Sequence, residues 1–375
     1  MTRLSSRMTY REAQEELGLL WKVKISKGGL QHITMRHGHV ADALVTEKVA
    51  QLAATAPTPA AQPEQMVMCT DGALVQLTSG EWREVKTVTF GEFRPHWDAQ
   101  QQKVVTKTDQ ISYFSRVETA DAFSQSALVE WHRRGGENAH TMVAVQDGAQ
   151  WIQSFVDYHC PQATRVIDFA HAQEYVAKVG RAIHGAETDT FRQWYARMSK
   201  QLGRQPPQRT VNELRLLQRQ HREHPAAADI ELAIRYLEKR LPMIDYPRFR
   251  RQQIPIGSGN VESGHKVVMQ QRMKQAGMRW AEANLNPMLA LRVALCNQTW
   301  KTSWQEIEAR TLEEKYPTKA QERKPLAPAV GSAIVTDADC QRMLALADRI
   351  AKKKRHPWRN HRWIFPYRQN LIHQN

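Results

Sequence analysis

Residues 66–90, MVMCTDGALVQLTSGEWREVKTVTF, decide the fold. Met66–Thr70 is apolar and reaches an Asp71-Gly72 dipeptide, a frequent turn former. Ala73–Leu77 leads to a Ser79-Gly80 turn. Trp82–Phe90 alternates, with Val85, Val88 and Phe90 prominent. Short strands joined by tight turns are predicted.

Downstream, Ile111–Val117 is a further strand candidate and 119–135 reads as helix. Met142–Val145 is a short buried strand ending at Gln146-Asp147-Gly148. A helix is predicted over 149–158, a strand at Arg165–Ile167 ending at Asp168, and a helix over 171–184. Strands with short links, then strands alternating with helices, predict a mixed α/β sheet. Residues 186–250 are helical and charged, with no strand-like run, and read as an inserted all-helical module. A loop at 251–258 precedes helices over 259–277 and 286–300.

Upstream, 9–18 and 26–38 have helical spacing, Ser26 capping the second, and the pair is a candidate helix-turn-helix. The Ala/Pro-rich 53–65 reads as a linker. At the far end, 313–335 reads as a linker and 337–351 as a helix. A basic tail, Lys352, Lys353, Lys354 and Arg355, then precedes Trp358, Trp363, Phe365 and Tyr367. The expected organisation is a helical region (1–52), a linker (53–65), a core (66–185), the insertion (186–250), the core's return (251–312) and a basic aromatic tail (313–375).

Of 375 residues, 41% are hydrophobic and 24% charged, an ordinary globular composition. Lys and Arg number 53 against 38 Asp and Glu, a net charge of +15. That excess points to a polyanionic partner, nucleic acid before membrane. No apolar run approaches the roughly 18 residues a bilayer span needs. No signal-peptide core is apparent, and the four cysteines are far apart with no CxxC pair. A reduced cytoplasmic protein is expected.

Three carboxylates stand at telling places. Asp71 and Asp147 each end an apolar strand candidate and each opens an Asp-Gly-Ala triplet. Glu262 lies in the first turns of a helix after Gly257-Ser258-Gly259. Acidic side chains converging at strand ends make an oxygen-only site, which selects Mg²⁺ or Mn²⁺. Two such ions clamp the attacking and leaving oxygens of a phosphodiester displacement. Glu262, His265, Lys266 and Met269 are spaced to share a helix face, presenting His265, Lys266 and Arg272 to phosphates.

The segment Ile256-Gly257-Ser258-Gly259-Asn260-Val261-Glu262, with Gln270-Gln271-Arg272-Met273 and Gly277-Met278-Arg279-Trp280, resembles the glutamate region of DDE insertion-sequence transposases of the Kra type, relatives of the Mutator-like group. Asp71-Gly72 with Trp82–Lys86, Asp147–Ile152, Ile167–His171 and His356–Arg359 extend the resemblance over roughly 66–360. It implies an RNase H-like core with a helical insertion before the last catalytic helix. It also implies Asp71, Asp147 and Glu262 as catalytic metal ligands, with DNA cleavage followed by strand transfer. Asp168 competes for the second place. Because Mutator-like relatives carry an acid or Cys, two residues, then His after the second catalytic Asp, Asp168 and His171 are assigned an accessory role, with the carboxylate orienting the imidazole. Arg279 and Lys352–Arg355 join the expected DNA contacts. A homo-oligomer on DNA, in a bacterial cytoplasm at the nucleoid, is the implied setting. A DNA-binding derivative without catalysis and a metal-dependent nuclease are the alternatives.

Overall fold

The computed structural model describes residues 1–55, 57–100 and 102–315. The linker, helix and basic tail expected beyond 315, Lys352–Arg355 included, lie outside the described residues. Met1–Tyr316 forms one compact unit.

The N-terminal helices are α1 (Thr2–Ser5), α2 (Tyr10–Trp21) and α3 (Lys27–Thr55). Thr9 starts α2 through a reciprocal cap: its hydroxyl accepts from the Glu12 N–H, and Glu12 accepts from the Thr9 N–H at 2.8 Å. The second helix, expected over 26–38, instead runs 29 residues. It buries Val40 and Ala41 against Leu291 and Ile307 from the end of the described chain. That packing carries it into the expected linker, and it joins these helices to the core as one unit.

A single open sheet follows, with strands β1 (Gln65–Gln76), β2 (Trp82–Asp98), β3 (Lys103–Arg116), β4 (Thr141–Gln146) and β5 (Thr164–Ile167). Their order is β3-β2-β1-β4-β5. The first three are antiparallel neighbours, and β4 and β5 add in parallel. Helices α4 (Ala120–Ser126) and α5 (Leu128–Arg133) join β3 to β4, and α6 (Gln150–His159) joins β4 to β5. The architecture is mixed α/β, as expected. Residues 66–77 are not two strands broken at Asp71-Gly72, however. The ladder with β2 runs unbroken from Met66↔Glu92 to Gln76↔Trp82.

Alternation sends the two faces of β1 into different cores. Met66 and Met68 pack with Phe90, Phe123 and Phe155 on one side. Val67 and Cys69 pack with Val143, Val145 and Val166 on the other. That second face is covered by α7 (Phe169–His184) and by the helices of 186–250: α8 (Asp189–Arg204), α9 (Pro207–Gln220), α10 (Ala227–Glu238) and α11 (Tyr246–Arg251). The chain returns as α12 (Gly259–Gly264), a π-helical stretch His265–Gln270, and α13 (Gln271–Met273). Helices α14 (Leu285–Cys296) and α15 (Trp300–Lys315) finish the described chain.

Candidate active site

The sheet brings Asp71 and Asp147 level. The parallel register of β1 and β4 ends at Cys69↔Val145, and each Asp lies two residues beyond its member of that pair. Two residues is one full alternation, so Asp71, still within β1, keeps the face of Cys69, while Asp147 lies one residue past β4 in the loop before α6. On that face of β1 the apolar positions Val67, Cys69, Val75 and Leu77 are buried in two separate cores. Asp71 stands at the seam between them. One acid in an otherwise apolar alternation is a signal the sequence carries.

Burial pushes the Asp71 carboxyl above its ordinary value. The Gly72 N–H, which donates to Asp71 Oδ1 at 2.7 Å, opposes this. The negative charges of Asp147, Glu84 and Glu262 push it further up. Glu84 has its own cation: Lys86 Nζ donates to it and to the Glu118 carbonyl. Asp147 Oδ1 accepts from the Ala149 N–H at 2.8 Å. Asp147 and Glu262 are thus each within electrostatic reach of Asp71. As the side chains stand, Asp71 and Asp147 each accept from their own backbone. Among the described residues no group of three or more His, Cys, Asp or Glu side chains is gathered to hold an ion.

The Glu262 helix does not present one shared face. Glu262 and Lys266 are exposed, while His265 and Met269 are buried. His265 lies beneath Asp71, its Nδ1 3.7 Å from Asp71 Oδ2. Burial lowers the His265 pKa and so favours the neutral ring. It is therefore a floor to the site and not a phosphate contact. Arg272 is corrected likewise. It is 1% exposed, its Nε donates to the Ser5 carbonyl at 2.7 Å, and its guanidinium lies over Tyr10 and Trp280. Lys266 and Arg279 remain exposed.

Asp168 is fully used by the fold. Its Oδ1 caps α7 by accepting from the His171 N–H at 2.9 Å. Its Oδ2 accepts from the Ser258 N–H at 2.6 Å and the Ser258 hydroxyl at 2.9 Å. So it ties β5 to the loop that launches the Glu262 helix. The expectation that it orients the His171 imidazole is corrected. Capping geometry directs the carboxylate to the backbone N–H. The ring instead has Glu174 3.7 Å away and meets Tyr175 and Tyr236 edge-on.

Sequence reasoning missed the clamp on the Asp147 loop. The Tyr236 hydroxyl donates to the Asp147 carbonyl, and Arg240 Nη2 donates to the Gly148 carbonyl at 2.8 Å. Tyr236 stacks on Tyr175 with ring centroids 3.7 Å apart, and the Arg240 guanidinium covers its other side at 4.0 Å. The helical insertion therefore holds the backbone of the second Asp. Tyr236 lies in the last turn of α10 and Arg240 just past its end, a four-residue spacing too common to single them out.

Among the described residues no helix is long and apolar enough to cross a membrane. A comparison of the chain with models of known protein families gave no match, and a comparison with curated proteins gave none either.

Proposed function

We propose that this chain is a DDE transposase with an RNase H-like core, cutting DNA at the ends of an insertion sequence and joining it to target DNA. One observation carries the reading: Asp71 within β1 and Asp147 just past the end of the neighbouring β4, each two residues beyond the last β1–β4 pair, with Asp147 and Glu262 near enough to press on the Asp71 charge. The strand order, with three antiparallel strands followed by two parallel ones, supports the RNase H-like assignment. The helical insertion before the Glu262 helix supports it too.

The donor set fits a hard divalent cation. All three donors are carboxylates, and the Asp71 charge is disfavoured by burial and by the neighbouring acids, which a cation relieves. Asp71, Asp147 and Glu262 would hold Mg²⁺ or Mn²⁺. When bound, such ions activate a water or 3′-hydroxyl and stabilise the leaving oxygen. A neutral His265 lets Asp71 keep its charge for the metal. Asp168 fixes the start of the Glu262 helix, and Tyr236 with Arg240 fixes the Asp147 loop. Lys266, Arg279 and the basic run Lys352–Arg355 bind DNA backbone, and the protein acts as a homo-oligomer on DNA.

The test is a plasmid carrying the element with its native flanks, incubated with the full chain and Mn²⁺. Cleavage at the element ends followed by joined products is expected. Cleavage without joining makes the protein a nuclease. Binding without cleavage at any metal concentration sinks the catalytic reading.

A further inference from the structure

A second site lies apart from the carboxylates, between the N-terminal helices and the segment after the Glu262 helix. A cleft of about 700 Å³ opens there, lined among others by Tyr10, Arg11, Lys27, Arg272, Arg279 and Trp280. Arg11, Lys27 and Arg279 are exposed on its rim. Lys27 opens the 29-residue α3, whose first-turn N–H groups add positive potential. Glu12 is the one acid in the lining, and its carboxylate is already engaged by the Thr9 N–H.

The wall of the cleft is unusual. The Arg272 guanidinium is buried between Tyr10 and Trp280, with centroids at 4.7 and 5.2 Å, and it forms no ion pair among the described residues. Its Nε donates to the Ser5 carbonyl, its Nη1 lies 3.9 Å from the Met278 sulfur, and the Tyr10 hydroxyl and the Glu12 charge are its neighbours. A buried cation without a counter-charge is costly. Here it has aromatic faces and a carbonyl in place of a carboxylate.

The place matters as well. Trp280 is pinned to the end of β1: its N–H donates to the Gln76 carbonyl at 3.0 Å, and its carbonyl accepts from the Thr78 N–H at 2.9 Å. Asp71 is on the same strand. Five residues at about 3.3 Å put the cleft roughly 17 Å along β1 from it. At about 3.4 Å per nucleotide of duplex, that is roughly five nucleotides.

We infer that this cleft is an anion site that takes a backbone phosphate of a nucleic-acid strand, beside and not within the candidate carboxylate site. The inference rests on the nucleic-acid part of the proposed function and not on its catalytic part. Phosphate is favoured over carboxylate ligands because three exposed cations, Arg11, Lys27 and Arg279, and a helix start converge on one cleft.

The experiment measures binding of a fluorescein-labelled 20-base-pair duplex of arbitrary sequence by anisotropy, in EDTA, from 50 to 300 mM salt. The double variant Lys27→Glu/Arg279→Glu changes only exposed residues. Lys200→Glu, an exposed lysine on α8, is the control for charge alone. Thermal unfolding checks that all three fold. The rim variant is expected to bind at least tenfold more weakly, with the slope of log K against log salt shallower by about two. The control should stay within twofold. Equal affinity of the rim variant and wild type overturns the inference, as does an equal loss in the control. A further arm adds inorganic phosphate or AMP at low millimolar concentration. Displacement of the duplex from wild type but not from the rim variant, by either small ligand, means a free-phosphate site and overturns the nucleic-acid assignment. Asp71→Asn should bind like wild type, so a failed cleavage assay leaves this result standing.

Discussion

Asp71-Gly72-Ala73 and Asp147-Gly148-Ala149 are the same three residues in two backbones. The first is extended, with Asp71, Gly72 and Ala73 paired to Thr87, Lys86 and Val85. The second turns: Gly148 has φ +84°, Asp147 accepts from the Ala149 N–H, and α6 begins at Gln150. The neighbours decide. Beyond Cys69, β1 loses β4 but keeps β2, so its backbone groups remain satisfied on that side. β4 loses β1 after Val145 and β5 after Gln146, and must then leave the sheet. A ladder already in place outweighs the modest turn preference of Asp-Gly. Both arrangements bring a carboxylate to the candidate site, one from inside a strand and one from a loop that needs outside support.

The largest expected effect tests whether the two aspartates are equivalent despite this difference. Asp71→Asn, Asp147→Asn and Glu262→Gln should each reduce metal-dependent cleavage by about 10²–10³-fold, as loss of one preorganised charged group does. DNA binding should persist. Asp168→Asn should act otherwise, because both its oxygens already serve the α7 cap and Ser258. It should cost about 1 kcal/mol of stability and leave Mn²⁺ binding in place by calorimetry. Metal binding lost in Asp168→Asn and kept in Asp147→Asn would exchange the two roles.

The glycines sharpen the contrast next. An alanine Cβ at Gly148 would sit 2.6 Å from Arg240 Nε, 2.7 Å from the Tyr236 hydroxyl and 3.1 Å from Ile167 Cδ1, at a positive φ. Gly148→Ala should cost about 2–3 kcal/mol. The nearest atoms a Cβ at Gly72 would meet belong to the Glu84 side chain, its carboxylate oxygen first and its Cγ at 2.9 Å. Glu84 is partly exposed and can swing away from Lys86. Gly72→Ala should therefore cost about 1 kcal/mol or less, since alanine also suits a strand better than glycine. Urea midpoints for the two variants decide it, and equal costs would break the comparison.

Tyr236→Phe probes the outside support alone. It removes the hydroxyl that donates to the Asp147 carbonyl but keeps the ring stacked on Tyr175. A loss of about 1 kcal/mol is expected, with weaker Mn²⁺ binding. A purely structural role would lower the unfolding midpoint and leave metal affinity unchanged.

The apolar alternations over 66–90 and 142–145 made a mixed sheet legible, and the absence of strand-like runs made 186–250 legible as helices. Asp71 and Asp147 were readable as acids closing apolar runs. The continuity of β1 was not, because it depends on β2 pairing from the far side of a turn. Nor was the burial of His265 and Arg272. A regular helix from 259 would put them with Glu262, but the π-helical stretch and the N-terminal helices, 267 residues away at the Ser5 contact, turn them inward. Tyr236 and Arg240 act through tertiary contacts alone.

The smallest effect concerns charge at Asp71 without its metal. Burial, then the neighbouring acids, hold its folded pKa above the unfolded value. The stabilising contribution of its proton is therefore complete below the unfolded pKa and is lost as pH rises through the folded one. At pH 7 in EDTA the ionised Asp71 destabilises the fold, and Asp71→Asn should raise the unfolding midpoint. With 43% of the side chain exposed, solvent screens much of the repulsion, and the gain should stay below about 1 kcal/mol. It should vanish as pH falls below the ordinary carboxylate range, where Asp71 is as neutral as asparagine. Saturating Mn²⁺ should reverse the order at pH 7, since a ligand that binds only the native wild type stabilises it alone. An Asp71→Asn variant less stable than wild type in EDTA at pH 7 would mean that the carboxylate is held by the fold and not strained against its neighbours. The extended triplet would then be a structural element like Asp168, and only the turned one would remain a candidate for metal.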